Sequence, residues 1–372
     1  GCEQLTEIDF SSVNKNKNSI SSMENLFSGC ESLEKVNFGN LNTSNVVNMA
    51  SMFEGCTKIK KINLSNFDTS KVTSMEKMFL DCKSLMSVDL QGFNTKNVIN
   101  MEYMFGRNYF LDTINIDSFD LTNTKKAASM FVLCQSLKKV ALKNENINGK
   151  SSSIDMSGMF EKCYSLTDLD LTNFERKKIE KIQFMFFNCS NLTSIDTTKF
   201  DTSESTNFYS IFHGCTSLTS LNLTQMSTDN VTTMNSAFND CISLESLDLS
   251  NWITSNVTSM TSMFYNCNSL KWVKLDQFDT SRVNSMQFMF EKCYALESID
   301  LSMFDIRNAL DFRRFFKDCK SLINIDLSNF NGSRISSSMR CEDMFDTNGP
   351  KATIKYNSNI FGKYLENEIP DT

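Results

Sequence analysis

The chain has 372 residues, is 40% apolar, holds 12 Gly and 2 Pro, and carries a formal net charge of -7. So apolar a chain with so few Gly and Pro is neither disordered nor collagen-like, and its negative balance speaks against nucleic acid, which binds basic patches that displace counterions. No apolar run approaches the ~18 residues of a membrane span, and the length exceeds the ~250–300 residues at which a single core stops growing.

Taken from its start, the chain repeats itself. Cysteines stand at 30, 56 and 82, then at 163, 189, 215, 241, 267, 293 and 319, separated by 26 residues or by multiples of 26 with small insertions. Asn108 stands where a cysteine is due, and Cys134 follows it at the same interval. A period of 20–50 residues is the mark of a stacked array, and such arrays escape the core-size limit because each rung touches only its neighbours.

Each rung is numbered here from its cysteine as position 1. The apolar columns are then 4, 7, 9, 12, 17, 20, 23 and 24, filled in one copy by Ile59, Ile62, Leu64, Phe67, Val72, Met75, Met78 and Phe79. Positions 7 and 9 flank a polar residue, the period-2 pattern of a half-buried strand. Positions 17, 20, 23 and 24 share one face at helical spacing, and position 19 is usually Asn, Ser, Thr or Asp, as in Asn48, Ser74 and Asn100, a suitable N-cap. Between them, Asp68-Thr69-Ser70 and Asp279-Thr280-Ser281 can bond their own backbone into a turn. The pattern predicts an α/β repeat solenoid with one long parallel sheet and short helices on the opposite side.

Breaks punctuate the array around Asn14–Lys17, Asn144–Ser153 and Gly332–Ser338. Residues 1–347 read as a solenoid of about 13 copies, and 348–372, with a strand-like run at Ala352–Tyr356, as a C-terminal cap of the kind a last rung needs. The sequence starts at Gly1 without an initiator Met or a signal peptide and reads as an excised segment. Its first rung reads as open, or as one that preceding sequence covers; if open, self-association through that rung is an expectation.

The segments S-L-E-S-L-D-L (243–249) and A-L-E-S-I-D-L (295–301) fit a leucine-rich pattern, while M-F-x-x-C-x-S-L recurs nearly unchanged at 78–85, 159–166, 263–270 and 289–296. In these columns the chain resembles the BspA-type leucine-rich repeat, in the 26-residue form found in mycoplasma lipoproteins, other bacteria and some protists. The resemblance implies a right-handed leucine-rich-repeat solenoid located at the cell surface or extracellularly. It also implies adhesion or partner recognition, without catalytic residues. A protein or glycan partner, including one on a host cell, is then expected to meet the sheet face; a structural spacer or lattice element without a discrete ligand is the alternative.

Enzymatic chemistry finds few footholds. The only histidine, His213, sits at a variable position expected to be exposed, and neither a phosphate loop nor an H-E-x-x-H motif is present. No cofactor and no metal are expected. The 13 cysteines invite a disulfide or metal reading, yet 12 share one column. That column reads first as a ladder of buried thiols, with occasional bridges or a metal as alternatives. Cys2 resembles a lipoprotein N-terminus but is in register with Cys30, and Cys341 falls in the position-20 column.

Candidate binding residues are those that break the surface pattern. Trp252 occupies the Phe column at position 12 and is expected in the core, whereas Trp272 stands at position 6, where other rungs have Lys61, Ser87, Ser246 or Ser298. Lys274 shares its face, in a position-8 column otherwise dominated by Asp and Asn and broken by Ala141, with Asp248 and Asp300 due on the adjacent rungs. Tryptophan is enriched at interface hot spots. The acidic row itself is expected to be a solvated ladder whose side chains bond one another, with a cation or a basic partner as the competing reading. Lys138, Lys139 and Lys143 form a second candidate, a basic patch beside the longest insertion.

Overall fold

The computed structural model describes residues 2–13, 20–141, 153–171, 178–327, 339–345 and 353–356. The chain divides into two compact units, Gly1–Glu180 and Lys181–Thr372, each a stack of parallel rungs. In the first unit lie β1 (Glu7–Asp9), β2 (Lys35–Asn37), β3 (Lys61–Asn63), β4 (Ser87–Asp89), β5 (Lys139–Ala141), β6 (Ile154–Asp155) and β7 (Asp168–Asp170). β8 (Ile179–Lys181) runs across the division. The second unit holds β9 (Ser246–Asp248), β10 (Trp272–Lys274), β11 (Ser298–Ile299), β12 (Asn324–Leu327) and β13 (Thr353–Tyr356).

Most strands occupy positions 6–8, where the pattern placed them. The pairing is parallel and in register, as in Ile62 with Val88 and Val273 with Leu247. It is less continuous than expected: among the described residues β1 pairs β2, β3 pairs β4, β5 pairs β7, β6 pairs β8 and β9 pairs β10, while only β11, β12 and β13 make a triplet. The strand-like run at the C-terminal end is present as β13, stacked on β12.

The expected short helices are absent: no described residue is helical. Positions 20–26 form a run of tight turns instead. In the rung from Cys56, the N–H groups of Met78, Leu80 and Cys82 close turns onto the carbonyls of Met75, Lys77 and Phe79 at 3.2, 3.0 and 3.4 Å. The alternate N–H groups, of Met75, Lys77, Phe79 and Asp81, leave the rung. They donate to Asn100, Glu102, Met104 and Gly106 of the next rung at 2.8–3.0 Å. Lys77 and Asp81 adopt φ of 54° and 59°, and Ser51, Tyr103 and Ser129 repeat the first of these. A left-handed residue at every fourth step stops a helix from winding and costs roughly 1–2 kcal/mol each; the bonds between rungs offset that cost. Apolar residues three apart face inward from serial turns just as from a helix, so periodicity alone could not separate the two. The position-19 side chains keep a capping role without a helix, for Asn48 Oδ1 accepts the Ala50 N–H at 2.9 Å.

Each rung therefore carries two hydrogen-bonded seams, and the core lies between them. Rings of position 24 stack along it: Phe53 on Phe79 at 5.6 Å, Phe79 on Phe105 at 5.4 Å and, in the second unit, Phe238 on Phe264 at 5.5 Å. A third contact was not legible as such. Thr69, 1% exposed, donates its hydroxyl to the Asn94 carbonyl at 3.0 Å and accepts the Asn94 N–H at 2.8 Å. Thr228 and Thr280 do the same for Ile253 and Asp305.

The cysteine column is a ladder of free thiols. Cys82 Sγ–H donates to the Phe53 carbonyl at 3.1 Å, and Cys267 to Phe238 at 3.1 Å. That carbonyl also takes the backbone N–H of the cysteine three residues on, Cys56 for Phe53 and Cys241 for Phe238, so both lone pairs are used. Asn108, wholly buried, replaces the thiol by donating its amide to Phe79 and Phe105 at 3.0 and 2.7 Å. Burial pushes the thiols of Cys56, Cys134 and Cys215 up to about 12, which suppresses the reactive thiolate. Cys341 is buried, but Cys2, although in register, exposes its thiol in the first rung. A thiol reagent should therefore label Cys2 rapidly in the folded protein, the half-buried Cys319 more slowly, and the remaining cysteines only after denaturation. Mass spectrometry finding several fast-labelling ladder cysteines, or disulfides between neighbouring rungs, would refute the buried ladder.

Candidate partner-binding face

The candidate face belongs to β9 and β10 in the second unit. Alternation along β10 sends Val273 inward, 6% exposed, and leaves Trp272 and Lys274 outward, with Trp272 43% exposed. Register sets Lys274 beside Asp248 and Trp272 beside Ser246. The Lys274 ammonium lies 3.3 Å from the Asp248 carboxylate and 5.9 Å from the centre of the Trp272 ring. One residue before β10, Lys271 reaches Glu245 at 2.9 Å. Of the two carboxylates expected to flank Lys274, only Asp248 pairs with it; Asp300 accepts the Ser302 N–H at 2.8 Å. The other tryptophan is core as expected: Trp252 is fully buried, edge-on to Phe208 at 5.6 Å.

Members of the acidic row bond their own loops, and bonds along the row, as expected of a ladder, join Asp9 to the Asn37 side chain and Asp248 to Lys274. Asp9, Asn37, Asn63, Asp196 and Asp248 each accept the N–H two residues on, at 2.7–3.0 Å. Asp and Asn share the column because either side chain offers the required oxygen. The Ser250 hydroxyl and N–H, helped by Lys274, hold Asp248 below the usual carboxylate range, and the Thr198 hydroxyl and N–H do the same for Asp196.

In the first unit, Lys138 and Lys139 are exposed, and Lys139 meets Asp168 of β7 at 2.6 Å. Lys143 lies outside the described residues. This patch is thus partly neutralised by its neighbouring rung. His213 is half-buried rather than exposed, its ring 4.7 Å from Phe187 and Nε2 3.6 Å from Asp240. Desolvation lowers its pKa against the pull of Asp240. Sequence reasoning misses Glu291, whose side chain is completely buried with Arg314 Nη2 2.6 Å from Oε1. Burial raises its pKa against that cation, and the guanidinium also lies 5.3 Å from the Phe288 ring. A pair at positions 25 and 22 of successive rungs can be found only once the rungs are stacked. Among the described residues, no group of three His, Cys, Asp or Glu could hold a metal, and no helix is long and apolar enough to cross a membrane.

The lowered carboxylates set a pH dependence. A group whose pKa falls on folding contributes stability that is full above its unfolded value, ~3.9 for Asp, and is lost as pH drops through the folded value. Replacing Asp196 and Asp248 with Asn, already native to the column, should leave melting near its parental value at neutral pH. It should also shrink the fall in melting temperature on acidification below pH ~4. Identical acid-induced falls in parent and double variant would show that these caps are not linked to folding.

A family model described as "Mycoplasma protein of unknown function, DUF285" matches residues 21–145, 112–219, 154–271 and 232–357. Among solved structures, the chain is similar to a leucine-rich cell surface protein of Faecalibacterium prausnitzii. The identity is 17% and the TM-score 0.41, over 95% of this chain and 83% of that one. A leucine-rich repeat protein of Bacteroides ovatus is 18% identical with a TM-score of 0.39, over 96% and 85% of the two chains. An internalin of Listeria monocytogenes is 13% identical with a TM-score of 0.31, over 86% of each. No curated protein matches.

Proposed function

Because the chain belongs to the DUF285 family of mycoplasma repeat proteins, whose description names no activity, we propose that it is a non-enzymatic interaction module. On this reading it is displayed at the cell surface and binds a protein or glycan through its strand face. The supporting observation is Trp272, a large indole 43% exposed on a face whose column is otherwise small or charged. Exposing an indole without a role forgoes the burial that drives folding, and aromatic anchors with a polar surround carry much of the energy of protein interfaces. Lys138 and Lys139 offer a second, weaker contact region.

One observation favours the structural-spacer reading. The acidic row, the strongest periodic surface feature, is used up in capping loops and so needs no partner to explain it. Trp272 caps no loop, and its contact with the Lys274 ammonium at 5.9 Å still leaves it 43% exposed.

Substituting Trp272 by Ser restores the residue of Ser246 and Ser298 and should leave the fold intact. Flow cytometry with labelled full chain on cultured animal cells should show binding weakened at least several-fold, since losing one anchor costs ~2 kcal/mol or more. Parental binding by Trp272→Ser, with loss in a Lys138→Ser/Lys139→Ser variant, would move the site to the first unit. Parental binding by both would leave the spacer reading.

A further inference from the structure

Charges around Trp272 are unevenly satisfied. On its N-terminal side both lysines are already engaged, Lys271 with Glu245 at 2.9 Å and Lys274 with Asp248 at 3.3 Å. On its C-terminal side the next rung presents Glu297 and Asp300, both exposed. That rung is immediately adjacent, since the Glu297 N–H donates to the Lys271 carbonyl at 3.2 Å. Neither carboxylate has a lysine or arginine within salt-bridge distance among the described residues, although Lys271, paired with Glu245, also feels the charge of Glu297 from further off. The indole already draws an intramolecular cation, the Lys274 ammonium 5.9 Å from its centre, as an exposed ring's quadrupole does. Its column neighbours Ser246 and Ser298 are small and leave room beside it.

We infer that the partner of this face is a basic protein segment, whose guanidinium or ammonium groups stack on Trp272 and pair with Glu297 and Asp300. This rests on the preceding reading of the strand face as the binding surface and adds the partner's chemistry. Arginine fits best, because its planar group can lie on the indole and fork onto a carboxylate at once. A neutral glycan would use the ring but gain nothing from two carboxylates that no lysine or arginine bridges. An acidic glycan or peptide would be repelled by them.

The test uses the full chain and three probes: a fluorescein-labelled peptide of alternating Arg and Ser, its Glu-Ser counterpart, and a labelled neutral glucose hexasaccharide. Anisotropy is read for the parent, Trp272→Ser and Glu297→Gln/Asp300→Asn at low and physiological salt. The Asp300→Asn change suits its column, since Asn37 and Asn63 cap the same turn, and circular dichroism confirms folding of each variant. The Arg peptide should bind and the Glu peptide should not. Trp272→Ser should weaken binding about tenfold, and the charge-neutral double variant several-fold with a flatter salt dependence. An Arg peptide bound equally well by the double variant overturns the inference. So does a hexasaccharide that binds in a Trp272-dependent manner while the Arg peptide does not; that result leaves the binding face standing and changes only the partner. If no probe's binding depends on Trp272, face and partner fall together.

Discussion

The structure depends on how the backbone N–H groups of positions 20–26 are divided. Every second one closes a local turn, and every other one crosses to the next rung, as Met78 and Phe79 show side by side. A rung bonded only to itself would be a short helix, marginal at such length; a rung bonded only outward would be a strand. The division yields neither, and it makes each rung's conformation conditional on its neighbour. Left-handed residues such as Lys77 and Asp81 persist because the surrounding bonds over-determine them. The thiol and threonine ladders extend the same logic to side chains: Cys82 and Thr69 each complete a backbone group of an adjacent rung.

Much of this was legible in the sequence, and the part that was not has a physical explanation. The spacing of the cysteines exposed the rungs, and the apolar alternation at Ile62 and Leu64 exposed the strand. The core columns followed, with Met75, Met78 and Phe79 all fully buried. The helix expected from those same columns failed because inward spacing records which side chains are buried, not which carbonyl each amide chooses. Thr69 was read as a turn residue because its partner, Asn94, is 25 residues away. The row of Asp248 and Asp300 is visible in the sequence, but the loop bonds to Ser250 and Ser302 are not, and only Asp248 also bonds along the row, to Lys274.

For function, regularity is what makes exceptions informative. A position-6 column of small or charged groups and a position-8 column that caps its own loops give a background against which Trp272 and Lys274 stand out. The face is rigid because Val273 beneath them is buried and β9 holds the register. A recognition surface built this way can change residue by residue while the seams that fold the rung stay untouched. Such independence of surface from core suits an interaction module.

Amide hydrogen exchange in a Phe105→Ala variant tests the division of hydrogen bonds most directly. The amides of Lys77, Phe79 and Asp81 belong to one rung, but their acceptors Glu102, Met104 and Gly106 belong to the rung that Phe105 packs. Removing that ring should speed their exchange at least tenfold, although none of the three residues is altered. Exchange at these amides that stays at the parental rate would mean that the rung holds itself, as a helix does, and would contradict the account.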